Sequence, residues 1–244
     1  MKISSVLKEI IANLKKGVYK VFYKKQDGSM GEFLSAKRGN STYASKTEKT
    51  KENYRQGFFN GAKNKIIIFI TLTIPYEKSY YGCEKSWLFF KKELSPFVRS
   101  LKKLGLEKYI ISLESCEQGG CHAHLLTRWN KLLKTTNEKE KSILADKIKQ
   151  KWINRVKKTY PHTKKKNLIT LEICQNLSDS KTLFNYVFKW IGKFSNIEKA
   201  LERIQNGIGL KNDIPRLFAN YWGYKLRIRL FRTSKGLAST ILIE

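Results

Sequence analysis

Two histidines lie two positions apart in the segment GGCHAHLLTRW, residues 119–129, and imidazoles are common metal ligands. In a β-strand, alternate residues project from one face, so His122 and His124 would point the same way and Ala123 the other. Two imidazoles so placed can bind one divalent ion. Such pairs also occur in strands without any metal, so the pattern predicts a metal site only if a third ligand lies nearby.

A carboxylate that could complete this site comes shortly before the histidines. Glu114 lies eight positions before His122, in the β-like segment KYIISLES, residues 108–115. A hairpin that turns at the glycine pair 119–120 would bring this carboxylate opposite the histidines. Glu117 is the alternative donor, but its place in the turn leaves its direction open. Two histidines, one carboxylate and open coordination positions fit a catalytic divalent cation.

The four cysteines favour neither a structural zinc site nor a disulfide framework. They stand at positions 83, 116, 121 and 174 and form no CxxC pair. Cys121 should point away from His122, since adjacent residues of a strand face opposite sides of a sheet. We therefore expect reduced thiols in a cytoplasmic protein.

A second group of reactive residues lies in NYVFKWIGK, residues 185–193. On a helix, Tyr186 falls at the edge of a broad apolar face, and Lys189 and Lys193 lie along its flank. A tyrosine at such an edge is commonly an interfacial residue. A phenol beside a cation is also a possible nucleophile, so both interpretations stand at this point.

The charge of the chain indicates a polyanionic partner. Its 49 Lys and Arg residues against 20 Asp and Glu residues give a formal net charge of +29. Self-repulsion of this size is relieved by binding nucleic acid. The longest apolar run, residues 66–74, is too short to cross a bilayer as a helix, so no membrane association is expected. Charge alone is equally compatible with a non-catalytic nucleic-acid-binding protein.

The elements that must position these residues follow from hydrophobic periodicity. From residue 65 onward the order is strand, helix, strand, strand, helix, strand, helix. These segments span residues 65–73, 87–104, 108–115, 121–129, 138–158, 167–173 and 178–194. The order predicts an α+β fold, in which helices pack on a central, largely antiparallel sheet of about five strands.

Four finer predictions concern the ends of elements and their interruptions. Residues 18–33 are predicted to form a hairpin around Asp27 and Gly28, and residues 224–231 a basic strand. The first core helix is predicted to kink or restart at Ser95 and Pro96. The helix that carries Tyr186 is predicted to have its N-cap at Ser178 or Asp179.

Three short motifs in this order resemble those of the HUH endonucleases, in particular the single-tyrosine rolling-circle replication initiators of plasmids and small single-stranded DNA phages. FITLT, residues 69–73, is similar to their first motif. HAH, residues 122–124, is similar to their metal motif, and YVFK, residues 186–189, to their nucleophile motif. Glu114 matches the position of a third metal ligand in many of these initiators.

The resemblance implies a sheet of the HUH type, similar to that of RNA-recognition motifs, and a nickase that acts at a replication origin. Tyr186 would attack the DNA and form a 5′-phosphotyrosine link with release of a 3′-OH primer, assisted by Lys189. His122, His124 and Glu114 would hold a divalent metal, Mn²⁺ or Mg²⁺. Reversal of the reaction would rejoin DNA ends. The alternative within this chemistry is a transposase or mobilisation nickase.

The resemblance also implies partners and a division of the chain. Single-stranded or hairpin origin DNA would be the substrate, and a separate helicase and a host polymerase would be the protein partners. The protein would act in a bacterial or archaeal cytoplasm, and a homodimer is possible. The predicted DNA contacts are Thr71, Thr73, Lys193, Arg227 and Arg229. We expect a basic N-terminal accessory region over residues 1–62, a catalytic core over 63–196 and a basic C-terminal extension over 197–244.

Overall fold

The computed structural model describes residues 5–15, 20–24, 30–34, 48–132, 137–164, 167–174, 176–188, 203–204, 206, 210–235 and 237. The helices with defined bounds are α1 (Ser5–Lys15), α2 (Glu48–Phe59), α3 (Tyr80–Lys102), α4 (Glu138–Thr159), α5 (Leu177–Phe188) and α6 (Leu210–Lys225). The strands are β1 (Lys20–Lys24), β2 (Met30–Leu34), β3 (Lys65–Leu72), β4 (Leu106–Ser115), β5 (Cys121–Leu132), β6 (Ile169–Ile173) and β7 (Phe231–Thr233).

A five-stranded antiparallel sheet forms the centre of the fold, with strand order β6-β3-β5-β4-β7. The central strand β5 and its neighbour β3 are mostly buried because helices cover both faces of the sheet. The α+β class is confirmed, as is the predicted order of elements over residues 65–188.

The sheet has two faces, which differ in the helices that cover them. One face, here called the site face, carries His124 and Phe231; the ring of Phe231 packs against Phe188 of α5, with centroids 4.9 Å apart. The other, here called the helical face, carries Tyr109 and Ile111 under α3. Trp152 of α4 packs against this same helix, 5.2 Å from the ring of Phe97. Residues of each strand therefore alternate between two separately packed layers.

Helix α1 also contributes to the hydrophobic core. Its residues Val6, Leu7 and Ile10 are buried in the same cluster as the sheet. In addition, β1 and β2 form an antiparallel hairpin, which confirms that prediction. The predicted turn around Asp27 and Gly28 lies outside the described residues. Within the described part of the chain, no helix has both the length and the apolar character needed to span a membrane.

Helix α3 continues through Pro96, so the predicted restart at Ser95 and Pro96 is wrong. An internal proline loses one backbone hydrogen bond and costs about 3 kcal/mol. Leu94, Phe97 and Val98 flank it and are all buried, so core packing on both sides of the proline outweighs this cost.

The start of α5 also differs from the prediction. The side chain of Asn176 accepts a hydrogen bond from the backbone N–H of Asp179 at 2.9 Å, which makes Asn176 the N-cap instead of Ser178 or Asp179. The described part of this helix ends at Phe188, so its predicted continuation to residue 194 lies outside the described residues.

The predicted strand over residues 224–231 is wrong. Helix α6 runs to Lys225 and is followed by a turn in which Arg227 has a φ of 53°. Only Phe231–Thr233 pairs with β4. Tyr221 and Trp222 are buried in the core, and this helical packing overrides the local alternation of apolar and basic residues.

Trp152 is expected to be one of the main stabilising residues, since it is fully buried and its indole Nε1 donates to the carbonyl of Thr73, just past the end of β3. Trp152→Ala should lower the free energy of unfolding by about 3–5 kcal/mol, because it leaves a cavity between α3 and the sheet. Urea denaturation measures this change. Ile143→Ala, at a position 44% exposed on the same helix, is the control and should change stability by less than about 0.5 kcal/mol.

Candidate metal centre

Antiparallel pairing of β4 and β5 brings the predicted metal ligands together. The connection between these strands turns through Gly119, whose φ of 94° suits glycine, and is closed by a hydrogen bond from Cys116 N to Gly120 O. In the resulting register Glu114 lies directly opposite His122. Residues directly opposite each other have neighbouring side chains on one face of the sheet, so the hairpin itself positions the carboxylate.

Glu114, His122 and His124 form a compact group of possible metal ligands. One ligand atom from each lies within 4.8 Å of the others, and Glu114 Oε2 is 3.8 Å from Nε2 of both histidines. Donors that bind one ion at about 2.1 Å lie about 3 to 4 Å apart, so these positions fit a shared divalent cation after small adjustments. The buried Glu/His/His group could therefore bind a metal ion.

The burial of the three side chains differs in a way that suits a reactive site. Glu114 and His124 are buried, whereas the His122 side chain is 20% exposed. The group therefore has one accessible side, from which a substrate could approach an ion. Two imidazoles and a carboxylate, without a thiolate, are a ligand set typical of catalytic divalent metals.

Two hydroxyl groups on neighbouring strands hold the ligands in place. Thr71 Oγ1 lies 3.0 Å from His124 Nδ1, and Ser112 Oγ donates to Glu114 Oε1 at 3.3 Å. Thr71 and Ser112 flank His124 in the sheet register. A histidine that binds metal through Nε2 carries its proton on Nδ1, which then donates to Thr71 Oγ1. Both hydroxyls thus favour the ring and carboxylate orientations that a metal needs.

Tyr186 lies beside this group. Its ring centroid is 5.1 Å from that of His124 and 5.9 Å from that of Phe69, with both contacts edge-to-face. The side chain is 39% exposed, whereas Val187 and Phe188 of the same helix are buried. Helix α5 is therefore anchored by its apolar residues and presents the phenol at the edge of the metal group.

The structure excludes two other nearby residues, Glu117 and Cys121, from the group of possible metal ligands. Glu117 is exposed in the turn and is not part of the ligand group. Cys121 faces the opposite side, where its backbone N–H donates to Ser86 Oγ of α3. Burial raises the pKa of the Cys121 thiol well above its ordinary value, which opposes the thiolate form that binds metals.

The predicted DNA contacts and stacking residues have different locations. Thr73 Oγ1 donates to the carbonyl of Asn167, and both Arg227 and Arg229 are exposed. Lys189 and Lys193 lie outside the described residues. Tryptophans can stack on exposed bases, but Trp129, Trp152 and Trp222 are all buried in the core.

Two residues of the site were not anticipated in their present roles. Ser112 binds Glu114, and its position two residues earlier on the same strand was the signal that it shares the ligand face. Phe69 stacks on His124 with an interplanar angle of 10° and contacts Tyr186. It links the ring of a ligand to the ring of the candidate nucleophile.

No protein-family model, curated protein or solved structure matches this chain. Its function is therefore inferred from its own chemistry. A possible metal-binding group with one accessible side, next to an exposed phenol, can polarise a phosphoryl or carbonyl group and present an oxygen nucleophile to it.

Glu114→Gln is expected to weaken Mn²⁺ binding by more than about 100-fold, because even the loss of a residue that only supports a ligand commonly costs 10- to 100-fold. Isothermal titration calorimetry of the full chain measures the affinity. Glu117→Gln is the matched control, with the same loss of charge in the same hairpin, and should leave the affinity unchanged. Equal losses in the two variants would exclude Glu114 as the third ligand.

Thr71→Val is expected to weaken Mn²⁺ binding by about 10- to 100-fold, since the isosteric side chain cannot bond His124 Nδ1. Thr170→Val provides the control, because Thr170 pairs with Thr71 on the adjacent strand β6 and is exposed. The same calorimetric titration applies. If both threonine variants bind Mn²⁺ like the wild type, Thr71 has no part in orienting His124.

Proposed function

We propose that this chain is a metal-dependent nicking and joining enzyme for single-stranded DNA, which acts as an initiator of rolling-circle replication. The observation that carries the proposal is the contact of Tyr186 with His124, a member of the Glu114, His122 and His124 group. Tyr186 lies at least 62 positions after each member of this group and meets it only through folding.

The proposed step is transfer of a phosphodiester from DNA to tyrosine. The phenol oxygen of Tyr186 attacks phosphorus and loses its proton to solvent, while the 3′ oxygen of the preceding nucleotide leaves and takes up a proton. One P–O bond forms and one breaks, so the phosphotyrosine link keeps the energy needed to join the DNA again. A bound Mn²⁺ or Mg²⁺ would supply charge neutralisation at the phosphate.

The surrounding residues support this use of Tyr186. Phe69 and His124 are stacked on each other and both contact its ring, which limits the directions that the phenol can take. Thr71 and Ser112 orient His124 and Glu114. Preorganisation of this kind favours the transition state because little reorientation remains during the reaction. Lys189, which follows this helix segment, is proposed to assist by stabilising the extra negative charge.

The charge of the chain supports DNA as the substrate. A formal net charge of +29 attracts a polyanion and gives binding that weakens with salt. The proposed partners are single-stranded or hairpin origin DNA, a separate helicase and a host polymerase that extends the 3′-OH. Arg227 and Arg229 are proposed to contact the phosphate backbone, since both are exposed beside the short strand β7.

Tyr186→Phe should abolish formation of a covalent protein–DNA adduct, because phenylalanine has the same ring contacts but no nucleophilic oxygen. The assay incubates the full chain and Mn²⁺ with a set of labelled single-stranded oligonucleotides, including origin hairpins, and detects adducts on denaturing gels. Tyr81→Phe is the control, because Tyr81 is 62% exposed on another helix and should be dispensable.

Two outcomes of this assay would contradict the proposal. If the wild-type chain formed no adduct with any oligonucleotide of a broad sequence set, nicking would be the wrong reaction. If Tyr186→Phe and Tyr81→Phe formed the same amount of adduct as the wild type, the nucleophile would be wrong. Mass spectrometry of digested adducts identifies the modified residue directly.

A further inference from the structure

A cavity of about 140 Å³ lies on the helical face of the sheet, between the end of α3 and strands β4 and β7. Three cationic side chains line it, Arg99, Lys102 and Arg232, together with Ser95 and Tyr109. Aliphatic side chains form the rest of its wall. Tyr109 faces away from the ligand group, since it lies an odd number of residues from Ser112 and Glu114 on the same strand. The cavity therefore shares no residue with the metal centre.

Among the described residues, the three cations of this cavity have no carboxylate partner, unlike several other cations of the fold. Arg128 pairs with Glu107 at 2.6 Å, Arg155 with Glu93 at 2.8 Å and Lys225 with Glu84 at 2.8 Å. By contrast, among the described residues no acidic side chain lines the cavity. Like charges gathered without a counter-charge repel each other, and a bound anion removes this repulsion.

Arg232 is held in a fixed orientation toward the cavity. Its Nη1 donates to Ser95 Oγ at 3.0 Å and its Nε to the carbonyl of Arg229 at 3.4 Å. A guanidinium has five N–H donors, so about three remain for a ligand after these two bonds to described partners. Partial burial, and then the nearby charge of Arg229, lower the pKa of Arg232, so an anion in the cavity would stabilise its charged form.

The position of two of these cations at the end of α3 partly explains why positive charge gathers at the cavity. Arg99 and Lys102 lie in the last turn of the helix, where cations interact favourably with the backbone carbonyls. That effect does not account for Arg232, which comes from β7 and meets the same cavity. The cations therefore converge on this cavity from two separate elements.

We propose that this cavity binds one phosphate group of single-stranded nucleic acid, at a distance from the metal centre. The cavity offers two planar guanidiniums, an ammonium and two hydroxyls, which are donors that recognise phosphate oxygens. The volume is well below the roughly 300–1,000 Å³ of pockets that enclose whole small molecules, so a single phosphate fits better than a nucleotide. The large net positive charge makes nucleic acid the source of that phosphate. This inference does not depend on the nicking reaction.

The first test measures binding of inorganic phosphate to the full chain by a nuclear magnetic resonance titration. The double variant Arg99→Gln with Lys102→Gln removes two cations of the cavity and should weaken phosphate binding at least about tenfold. Lys92→Gln with Lys103→Gln is the matched control, because both lysines are exposed at α3 or its end and lie outside the cavity. It should change the affinity by less than about twofold, since exposed charges are screened.

The second test separates the possible sources of the phosphate. Short oligothymidines with a 5′-phosphate or a 5′-hydroxyl are titrated into the same variants. Preferential weakening of the 5′-phosphorylated strand in the cavity variant supports a terminal phosphate, and equal weakening of both strands supports an internal phosphodiester.

Three results would overturn the proposal. They are no phosphate binding by the wild-type chain, equal losses in the cavity and control variants, and oligonucleotide affinities that the cavity variant leaves unchanged. Circular dichroism of each variant verifies that the exposed substitutions have not altered the fold.

Discussion

The site depends above all on the antiparallel register of β4 and β5. That register sets Glu114 opposite His122, and the alternation of side chains adds His124 to the same face. A shift of one residue would turn the ligands of one strand to the helical face and separate the group. The register is held by the left-handed turn at Gly119 and by long antiparallel ladders on both sides of β5. The possible metal-binding group is therefore a consequence of strand pairing rather than of a dedicated loop.

Helix packing places Tyr186 beside the residues that the sheet brings together. The apolar residues of α5 fix that helix on the site face, and Tyr186 consequently meets His124. On the helical face, Trp152 bonds the carbonyl of Thr73 and so secures the end of the strand that carries Thr71. Two groups of functional side chains also lie on opposite faces of the sheet. One holds the possible metal ligands and the phenol, and the other holds a cationic cavity beside Arg232.

Local patterns in the sequence were sufficient for most of the fold and for the ligand group. His122, His124, the glycine pair and Glu114 all lie in a single hairpin. The side-chain alternation and the strand register of a hairpin can be predicted from its local sequence. Predictions failed where tertiary packing opposed a local rule. Helix α3 continues through Pro96 because buried residues flank it. The end of α6 and the turn at Arg227 replace most of the predicted strand over residues 224–231. The cavity beside Arg232 could not be foreseen, since it joins α3 and β7 across the fold.

The central claim is that Glu114, His122 and His124 bind one divalent cation next to Tyr186. The most direct measurement is anomalous diffraction from crystals of the full chain grown with Mn²⁺. We predict a single strong anomalous peak within about 2.0–2.3 Å of donor atoms of all three residues, with the Tyr186 ring beside it. A Mn²⁺ peak elsewhere, together with Glu114 bonded directly to the two imidazoles, would contradict the account.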